Sequence, residues 1–564
     1  MAIKRFIASK DTTLTNAFKG DLLTRASGSN LGAADTLEVF SIYGQAHEVG
    51  TSTKTAELSR ILIEFPMAEV SASRESGDIP KSGSVDFYLR LHNAVHPFTL
   101  PKKFTLTVAA LTKSWEEGTG LDMESYTDLT YDQEGANWIR AGSGSNTWET
   151  LGGDYVTNNG NSSYGYIRPR GLPVDTSSSF TASFKDGTED LEIDITSLAE
   201  QWINSQGNIL GSKSNYGVII LLSSSQEAYH SGSNVASFYP GYHAISGTSY
   251  FHNPAGSKKS YYTKKFFARG TEYYFKRPAL EARWDSSIKD NRGSFYISSS
   301  IASADDNLNT LYMYNYVRGQ LKDIPGLTAT ADGKEKLYVR IYSSSSLGKG
   351  VDQSKLLPID GKGGVAVNAH TIITGSRVEK GIYSATFAYT GSDTEIYDVW
   401  FTESAPSYNS VGGTYTEYHT GSTIKVKSFT GSVPSYNPQP TYVTSINNLK
   451  STYGESETAR FRLYTREKNW NPNIYSKATA DVVSSVVEDA YYKIYRVSDR
   501  QDVVGYGTGS LHSAYTKISY DISGNYFDLD MSLLEKDYAY GIKFVFYING
   551  KYVEQDKAFK FRVE

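Results

Sequence analysis

Short runs with an apolar residue at every second position constrain the fold of this chain more than any other feature. These runs are separated by clusters of glycine, serine, proline and lysine, and the clearest are 56–65, 85–92, 104–111, 191–195, 216–222 and 279–284. A period of two places the apolar side chains on one face of a β-strand, whereas a helix needs spacings of three and four. The sequence therefore predicts an all-β protein.

Composition supports this prediction and excludes several classes of protein. The 564 residues exceed a usual domain of about 100–200 residues, which predicts three or so domains. The chain is 39% hydrophobic and 13% aromatic, with 44 tyrosines, and such side chains pack well on strands. It contains no cysteine, which excludes disulfide scaffolds, cysteine-ligated zinc or iron–sulfur centres and thiol enzymes.

The charge pattern limits the partners. Fifty-six basic and 61 acidic residues give a net charge of −5, and the basic residues are scattered along the chain. Nucleic-acid binding needs a concentrated basic surface, so we expect no nucleic-acid partner. Residues 1–11 lack the apolar run of a secretory signal, and no segment approaches the roughly 18 apolar residues that span a bilayer. We therefore expect no membrane insertion.

One segment favours a helix. In residues 195–203, Thr196 or Ser197 is placed to cap a short helix whose buried face carries Leu198, Trp202 and Ile203. Asp194 is a second candidate for this cap.

Several landmarks follow one another in the first half of the chain. In order they are Ser59–Phe65 with Pro66, Trp115, Trp138, Trp148, Gly152-Gly153-Asp154, Asp194-Ile195-Thr196, Trp202, Asn215-Tyr216-Gly217 and Arg277-Pro278-Ala279-Leu280-Glu281. This series resembles the DNRLRE-type, carbohydrate-binding-like module of bacterial surface proteins and marine phage virion proteins. The resemblance covers residues 10 to 285 and implies a large, jelly-roll-like β-sandwich over residues 1–285. Loops 137–179 and 226–263 are longer than the family core.

The landmarks also have structural interpretations. Trp115, Trp138 and Trp202 are interpreted as core side chains, because a buried indole removes a large apolar area from water. The alternative is that they form a sugar-stacking platform. Arg277-Pro278 predicts entry into an edge strand, where proline's missing donor does no harm.

The second half of the chain contains a repeated pattern. After a polar bridge at 286–303, a Gly-x-Tyr strand at 381–387 precedes a strand at 397–401, and the same order recurs at 524–530 and 540–547. The offset between Gly381 and Gly524 is 143 residues, which is typical of tandem modules. We predict two immunoglobulin-like modules, 286–432 and 441–564, joined by a proline-rich linker at 433–440. Asn549-Gly550 predicts a hairpin turn within the second.

Catalytic motifs do not stand out. Nucleophile elbows, phosphate-binding loops and zinc helices are not found in the sequence, and the pair His92 and His96 is a weak metal motif in a strand context. Asp190, Glu192 and Asp194 alternate and are interpreted as a solvated strand face. Asp305-Asp306-Asn307-Leu308-Asn309 is either a weak calcium site or a polar turn. We predict no catalytic, cofactor-binding or metal-binding residues, and hence no enzyme.

The resemblance then implies a function. We expect a structural protein of a tailed bacteriophage virion, assembled in the host cytoplasm and attached at the neck or collar, tail or baseplate. Its expected partners are other virion proteins, in a symmetric homo-oligomeric arrangement. The alternatives are a carbohydrate-binding adhesion protein that contacts host-surface glycans and a polysaccharide-active enzyme.

Tyrosines in loops and joins supply the candidate contact residues. A ring with a wet hydroxyl suits surfaces that meet other molecules. The candidates, as interface or glycan-stacking aromatics, are Tyr239, Tyr242, Tyr261, Tyr262, Tyr408, Tyr415 and Tyr418.

Overall fold

The structure is a computed structural model. It describes residues 2–19, 25–47, 54–80, 83–96, 102–121, 135–156, 178–203, 213–229, 253, 255–298, 308–325, 327, 337–343, 372–403, 415–427, 440–468, 485–508 and 514–564. The chain divides into two compact units, one formed by Ala2–Asp285 with Ser513–Tyr515 and the other by Ser286–His512 with Thr516–Glu564. Nearly all of the secondary structure consists of strands, so the predicted all-β class is confirmed.

The N-terminal unit contains eleven strands and two helices among its described residues. The strands are β1 Ile3–Ile7, β2 Lys10–Thr15, β3 Thr36–His47, β4 Lys54–Glu64, β5 Asp86–Leu91, β6 Phe104–Ala110, β7 Ser179–Phe184, β8 Leu191–Asp194, β9 Val218–Leu222, β10 Tyr261–Phe267 and β11 Ala279–Arg283. The helices are α1 Met67–Ser76 and α2 Thr196–Ile203.

These strands form two antiparallel sheets. The smaller has the order β1-β11-β5-β8, and the larger has the order β10-β3-β4-β9-β6-β7, with β2 also paired to β4. The sequence pattern explains the places of individual strands. All five residues of β9, Val-Ile-Ile-Leu-Leu, are buried, as expected for a strand with neighbours on both edges.

The predicted helix is present, and its first backbone N–H is bound by Asp194, the second of the candidates. Asp194 Oδ1 accepts a hydrogen bond from the backbone N–H of Thr196 at 2.8 Å, so Asp194 confirms its expected role. Thr196 Oγ1 instead accepts from the N–H of Phe87, which ties the start of α2 to β5. Leu198 and Trp202 are buried as predicted, whereas Ile203 is only half-buried.

The prediction that Pro278 leads into an edge strand is wrong. Strand β11 lies between β1 and β5 and pairs with both along its whole length. Proline is tolerated because it precedes the first paired residue, and its carbonyl accepts the N–H of Ala8 at 3.0 Å. Local sequence marks the start of a strand but not the number of its neighbours.

Strand β11 also buries charged side chains. The carboxylate of Glu281 accepts hydrogen bonds from Arg5 Nε at 2.6 Å, Arg283 Nε at 3.0 Å and Arg90 Nη1 at 3.2 Å. Burial alone would raise the pKa of Glu281, but the three guanidinium groups hold that pKa well below its usual value. The carboxylate is therefore ionised and joins three strands of the smaller sheet.

The C-terminal unit carries two successive sets of strands. The first set, called the first repeat, is β12 Phe295–Tyr296, β13 Asn309–Tyr314, β14 Tyr316–Val317, β15 Gln320–Leu321, β16 Leu337–Tyr342, β17 Ile373–Thr374, β18 Ser376–Glu379, β19 Ile382–Phe387, β20 Glu395–Glu403, β21 Tyr415–Thr420 and β22 Ile424–Lys427. The second repeat is β23 Tyr442–Ile446, β24 Thr452–Tyr453, β25 Thr458–Glu467, β26 Ala490–Arg496, β27 Asp502–Val504, β28 Ser519–Asp521, β29 Gly524–Asp530, β30 Ala539–Ile548, β31 Lys551–Glu554 and β32 Phe559–Val563.

The two repeats have matching topology. The larger sheet runs β12-β22-β20-β16-β17 in the first repeat and β24-β32-β30-β26-β27 in the second, and in both a two-residue strand, β12 or β24, pairs in parallel with the last strand of the repeat. The smaller sheets contain β13-β19-β18 and β25-β29-β28 in the same order, with β23 added in the second repeat. The 143-residue offset predicts that two consecutive strands recur. They are β19 and β20 in the first repeat and β29 and β30 in the second, and they occupy equivalent places in their sheets. The predicted tandem pattern is therefore confirmed.

Each repeat builds a core between its sheets. In the first repeat, Leu311, Phe387, Val339 and Trp400 come from four strands of the two sheets and belong to one buried cluster. The predicted hairpin turn joins β30 to β31, where Asn549 and Gly550 have φ values of 46° and 79°. The predicted linker falls almost entirely outside the described residues, which include only Pro440 of that stretch. The boundaries at 432 and 441 stay predictions.

Candidate interaction surfaces

The predicted tyrosines do not come together in one site. Tyr261 is half-buried in β10 of the N-terminal unit, and Tyr262 lies in the same strand. Tyr415 and Tyr418 lie in β21 of the C-terminal unit, where Tyr418 is 37% exposed. Tyr239, Tyr242 and Tyr408 lie outside the described residues. Of the predicted set, Tyr418 is thus the one described side chain on an open surface.

A more exposed pair of tyrosines lies on the hairpin of the second repeat. Tyr547 in β30 is 43% exposed and Tyr552 in β31 is 46% exposed. They are directly opposite in the antiparallel register, with ring centroids 4.9 Å apart. Phe544 and Phe546 of β30 belong to the buried core, so the alternate residue Tyr547 points to the outer face of the sheet. We call Tyr547, Tyr552 and the charged residues beside them the hairpin platform.

Charged side chains continue the hairpin platform along this outer face. Glu554 accepts hydrogen bonds from Lys543 Nζ at 2.6 Å and from the Tyr506 hydroxyl at 3.1 Å, and Lys493 Nζ lies 3.7 Å from its carboxylate. Burial would raise the pKa of Glu554, but these hydrogen bonds and the two lysines lower it. Burial and the facing carboxylate raise the pKa of Tyr506, which keeps its proton. The hairpin platform thus presents two solvent-exposed tyrosine rings beside an ionised carboxylate that is bound by lysines.

A fixed joint connects the two repeats. Residues 288–290, which precede the first repeat, lie along edge strand β28 of the second: Tyr520 N–H donates to the Ile288 carbonyl at 2.9 Å, and Asp290 N–H donates to the Tyr520 carbonyl at 3.1 Å. The N–H of Ile288 also donates to Ser519 Oγ at 2.9 Å. The joint is therefore made by strand addition, which covers an edge that would otherwise be open.

Tyrosine and arginine side chains extend this joint. Tyr314 of the first repeat lies near Tyr526 of the second, and burial raises the pKa of Tyr526 to about 12. The guanidinium carbons of Arg460 and Arg462 lie 4.6 and 4.7 Å from the centroid of the Tyr526 ring. Arg460 also makes a bidentate pair with Asp528 at 2.7 and 2.9 Å. Cation–π contacts and paired charges thus surround Tyr526 beside the joint.

The tryptophans of the N-terminal unit are core residues, as predicted. Trp115, Trp138, Trp148 and Trp202 are all buried, and Trp138 has no exposed surface. The first three belong to one cluster with Leu62 and Ile219 of the larger sheet. Two of the indoles donate hydrogen bonds from Nε1 to backbone carbonyls. Trp115 donates to the Tyr216 carbonyl at 2.9 Å, and Trp148 donates to the Asn137 carbonyl at 2.8 Å. The alternative of a sugar-stacking platform on Trp115, Trp138 and Trp202 is therefore wrong.

A buried ion pair accompanies this cluster. Arg60 of β4 makes a bidentate pair with Glu227 at 3.1 and 3.0 Å and donates from Nη1 to the Gly152 carbonyl at 3.1 Å. Its guanidinium carbon lies 5.3 Å from the Trp138 ring centroid. Arg60, Trp138 and Gly152, which belong to the segments that carry the family resemblance, therefore contact one another in one structural cluster.

The remaining chemical candidates have structural partners. Asp190, Glu192 and Asp194 are exposed, as predicted for a solvated face. His92 Nδ1 lies 3.0 Å from Asp190, whereas His96 Nδ1 contacts the Ala94 carbonyl, so the two imidazoles bind different groups. The candidate calcium segment 305–309 is described only at Leu308 and Asn309. Within the described ranges, no group of three or more metal-ligating side chains comes together.

The architecture defines the class of the protein as an all-β chain of sandwich-like sheets that contains a duplicated module. In comparisons with known proteins, no family model matches the sequence, and no curated protein matches it. The resemblance to the DNRLRE-type module stays a prediction. Among the described helices, none has the length and apolar character to cross a membrane.

Proposed function

We propose that this chain is a structural protein of a tailed bacteriophage virion, an accessory component at the neck or collar, tail or baseplate. It acts through protein–protein interfaces, in a symmetric homo-oligomeric arrangement, and performs no catalysis. The resemblance of the N-terminal half to modules of phage virion proteins supports the choice of particle.

The observation that carries the proposal is the joint between the two repeats. Backbone pairing of residues 288–290 with β28, together with the hydrogen bond from Asn291 Nδ2 to the Tyr520 hydroxyl at 3.3 Å, fixes the first repeat against the second. A component that holds other proteins in position needs such a joint, because a flexible linker would let the modules move independently. The hairpin platform then supplies an aromatic contact surface on the outer side of the second repeat.

Quantitative mass spectrometry of purified particles tests the proposal. We expect the chain in the virions at a fixed ratio to the portal protein, matching a symmetric ring or fibre. A matched pair of variants separates specific attachment from contamination: Tyr547→Ser/Tyr552→Ser is expected to be lost from particles, whereas Tyr273→Ser, at a ring with 47% exposure in the other unit, is expected to be incorporated. Absence of the wild-type chain from particles would overturn the proposal.

A carbohydrate-binding adhesion protein is the second candidate. One observation favours it. The exposed rings of Tyr547 and Tyr552 lie beside charged side chains, those of Lys543, Lys493 and Glu554. Aromatic faces with adjacent polar groups suit sugar rings. A glycan array distinguishes it. Binding that disappears in Tyr547→Ser/Tyr552→Ser and persists in Tyr273→Ser supports glycan recognition, and no binding by the wild-type chain contradicts it.

A further inference from the structure

Lys264 of the N-terminal unit is a buried lysine with an unusual set of contacts. Its side chain lies in β10 and the residue is 2% exposed. Nζ lies 2.7 Å from Asn93 Oδ1, 2.5 Å from the Glu189 carbonyl and 3.1 Å from the Gly187 carbonyl. The rings of Phe184 and Phe266 flank it at 5.0 and 5.1 Å. An amine and a carboxamide are therefore held together in a water-poor site.

The backbone fixes this approach. Asn93 forms an antiparallel bridge with Phe266, and the N–H of Ala94 donates to the Lys265 carbonyl at 2.9 Å. Lys264 is two residues before Phe266, so its side chain and that of Asn93 are diagonal neighbours on one face of the pairing. Neither group needs to move far to reach the other.

The environment favours a nucleophilic amine. Burial lowers the pKa of Lys264 to about 8, although the nearby charges of Glu189 and Asp190 act in the opposite direction. A neutral amine has two N–H bonds, which the carbonyls of Gly187 and Glu189 can accept. In the structure Nζ also donates to Asn93 Oδ1 at 2.7 Å; loss of that proton leaves the lone pair of Nζ on the side of the Asn93 carboxamide, as an attacking amine requires.

A carboxyl group is bound to the backbone of Asn93. Asp190 Oδ1 accepts the backbone N–H of Asn93 at 2.8 Å, and Oδ2 lies 3.0 Å from His92 Nδ1. Burial would raise the pKa of Asp190, but the hydrogen bonds from His92 and Asn93 lower it, so the carboxylate is ionised and its oxygens are free of a proton. Asp190 is therefore an ionised carboxylate bound to the backbone of Asn93 and close enough to Lys264 to affect its pKa, and it is the candidate proton carrier.

We propose that Lys264 and Asn93 join to form an intramolecular isopeptide bond. Nζ attacks Cγ of Asn93, the Nζ–Cγ bond forms, and the Cγ–Nδ2 bond breaks. Asp190 takes a proton from Nζ and returns it to Nδ2, which leaves as ammonia. The step needs no oxidant, reductant or other reactant.

The bond has a structural consequence. It connects positions 171 residues apart, one just after β5 of the smaller sheet and one in β10 of the larger sheet. A covalent tie of this kind restricts the unfolded chain and resists separation of the two sheets. In a cysteine-free protein it supplies a cross-link that reducing agents leave intact.

Intact mass measurement of the denatured full-length chain tests the proposal. We expect a mass lower than that of the sequence by one ammonia, and a branched peptide that contains both Asn93 and Lys264 after proteolysis. An unmodified mass would overturn the proposal and leave Lys264 as a hydrogen-bonded ammonium. Ammonia loss that maps only to Asn549-Gly550 would also overturn it, because that pair loses ammonia by forming a succinimide.

Variants assign the roles. Lys264→Met and Asn93→Ala are each expected to show the mass calculated from their own sequence, without loss of ammonia. Lys265→Met is the control, because Lys265 pairs with Glu38 at 3.7 Å, and it is expected to lose one ammonia as the wild type does. Asp190→Asn is expected to give a mixture in which the cross-linked form is the smaller part. Complete cross-linking of Asp190→Asn would overturn the role of Asp190. The wild-type mass remains decisive if a variant fails to fold.

Discussion

Arg292 and Asp398 are joined inside the first repeat by two parallel hydrogen bonds of 2.7 and 2.6 Å. Asp398 is fully buried, and its Oδ2 also accepts from Trp400 Nε1 at 2.7 Å. The guanidinium belongs to the segment before β12 and the carboxylate to the middle of β20. The polar bridge that leads into the first repeat is therefore anchored in its core.

Asp398→Ala is expected to destabilise the first repeat strongly. The change leaves the Arg292 guanidinium without its carboxylate and the Trp400 N–H without its acceptor, and breaking one partner of a buried pair costs about 3–5 kcal/mol. Urea unfolding followed by tryptophan fluorescence measures it. Arg377→Ala is the control, because the Arg377–Asp323 pair is partly exposed and is expected to contribute less than about 1 kcal/mol. Equal effects of the two changes would contradict this assignment.

Asp11 is expected to make stability fall as pH rises. Burial raises the pKa of Asp11 to about 7, despite the hydrogen bond from the N–H of Arg269, and the nearby charge of Glu117 adds to the shift. Between about pH 4 and pH 7 the folded chain keeps a proton that the unfolded chain has lost, so stability decreases across this range, by about 1.4 kcal/mol for each unit of pKa difference.

The Asp11 prediction is tested by comparing Asp11→Asn with the wild type. The variant keeps an acceptor for the Arg269 N–H but does not titrate. The difference in unfolding free energy between the two proteins should grow from pH 4 to pH 7 in favour of the variant and stay constant above it. A difference that is independent of pH would contradict the prediction.

Gly217→Ala is expected to cost more than Gly144→Ala. Both glycines have positive φ, 81° and 69°, so both changes incur the backbone strain of about 1–2 kcal/mol. A Cβ at position 217 would lie 2.0 Å from the Ile63 carbonyl oxygen, whereas position 144 has nothing within 4 Å. The clash adds about 1–3 kcal/mol at Gly217 alone. Thermal unfolding of the two variants measures the difference, and indistinguishable melting temperatures would argue against the close approach.

Asp290→Pro is expected to uncouple the two repeats. Proline removes the N–H that donates to the Tyr520 carbonyl, and with it one of the backbone hydrogen bonds of the joint. We expect the unfolding of the C-terminal unit to separate into two transitions by calorimetry. Asp290→Asn keeps the backbone N–H and is expected to retain the wild-type profile. Two transitions in the wild type would show that the joint does not couple the repeats.

Tyr547→Ser/Tyr552→Ser is expected to leave the fold stable. The rings lie on an outer sheet face, and a cross-strand aromatic pair contributes about 0.2–1 kcal/mol. Urea unfolding is therefore expected to show a loss of about 1 kcal/mol, with unchanged circular dichroism. A much larger loss would mean that these tyrosines are core residues and not contact residues.

The strand content and the duplication are readable from the sequence because both rest on local patterns. The alternating runs identify β4, β5 and β6, and the spacing of Gly381 and Gly524 identifies the equivalent strands of the two repeats. Neighbours within a sheet are set by contacts distant in sequence, which is why Pro278 is wrongly assigned to an edge. The alternation of Glu281 and Arg283 with apolar residues likewise does not indicate that both are buried, because their partners come from other strands: Arg5 and Arg90 bind Glu281, and Glu192 binds Arg283.

The contact surface is harder to predict than the fold. The segment Tyr547-Ile548-Asn549-Gly550-Lys551-Tyr552 identifies a hairpin, and the two-residue turn places Tyr547 opposite Tyr552. The same segment therefore contains a signal for the paired rings, because cross-strand partners share a face. Their exposure depends on what packs against that face, which the hairpin itself does not encode. Tyr261, by contrast, is aromatic and near a loop yet half-buried.

The parallel pairing of β12 with β22 and of β24 with β32 has a consequence for how such a chain grows. Because β12 and β22, the first and last strands of the first repeat, run in the same direction, the chain enters this repeat at one pole and leaves it at the opposite pole, whereas in the second repeat β23 precedes the equivalent pair β24 and β32. Selection can change the number of repeats by unequal recombination, while every existing repeat keeps its own hydrogen-bonded ladder.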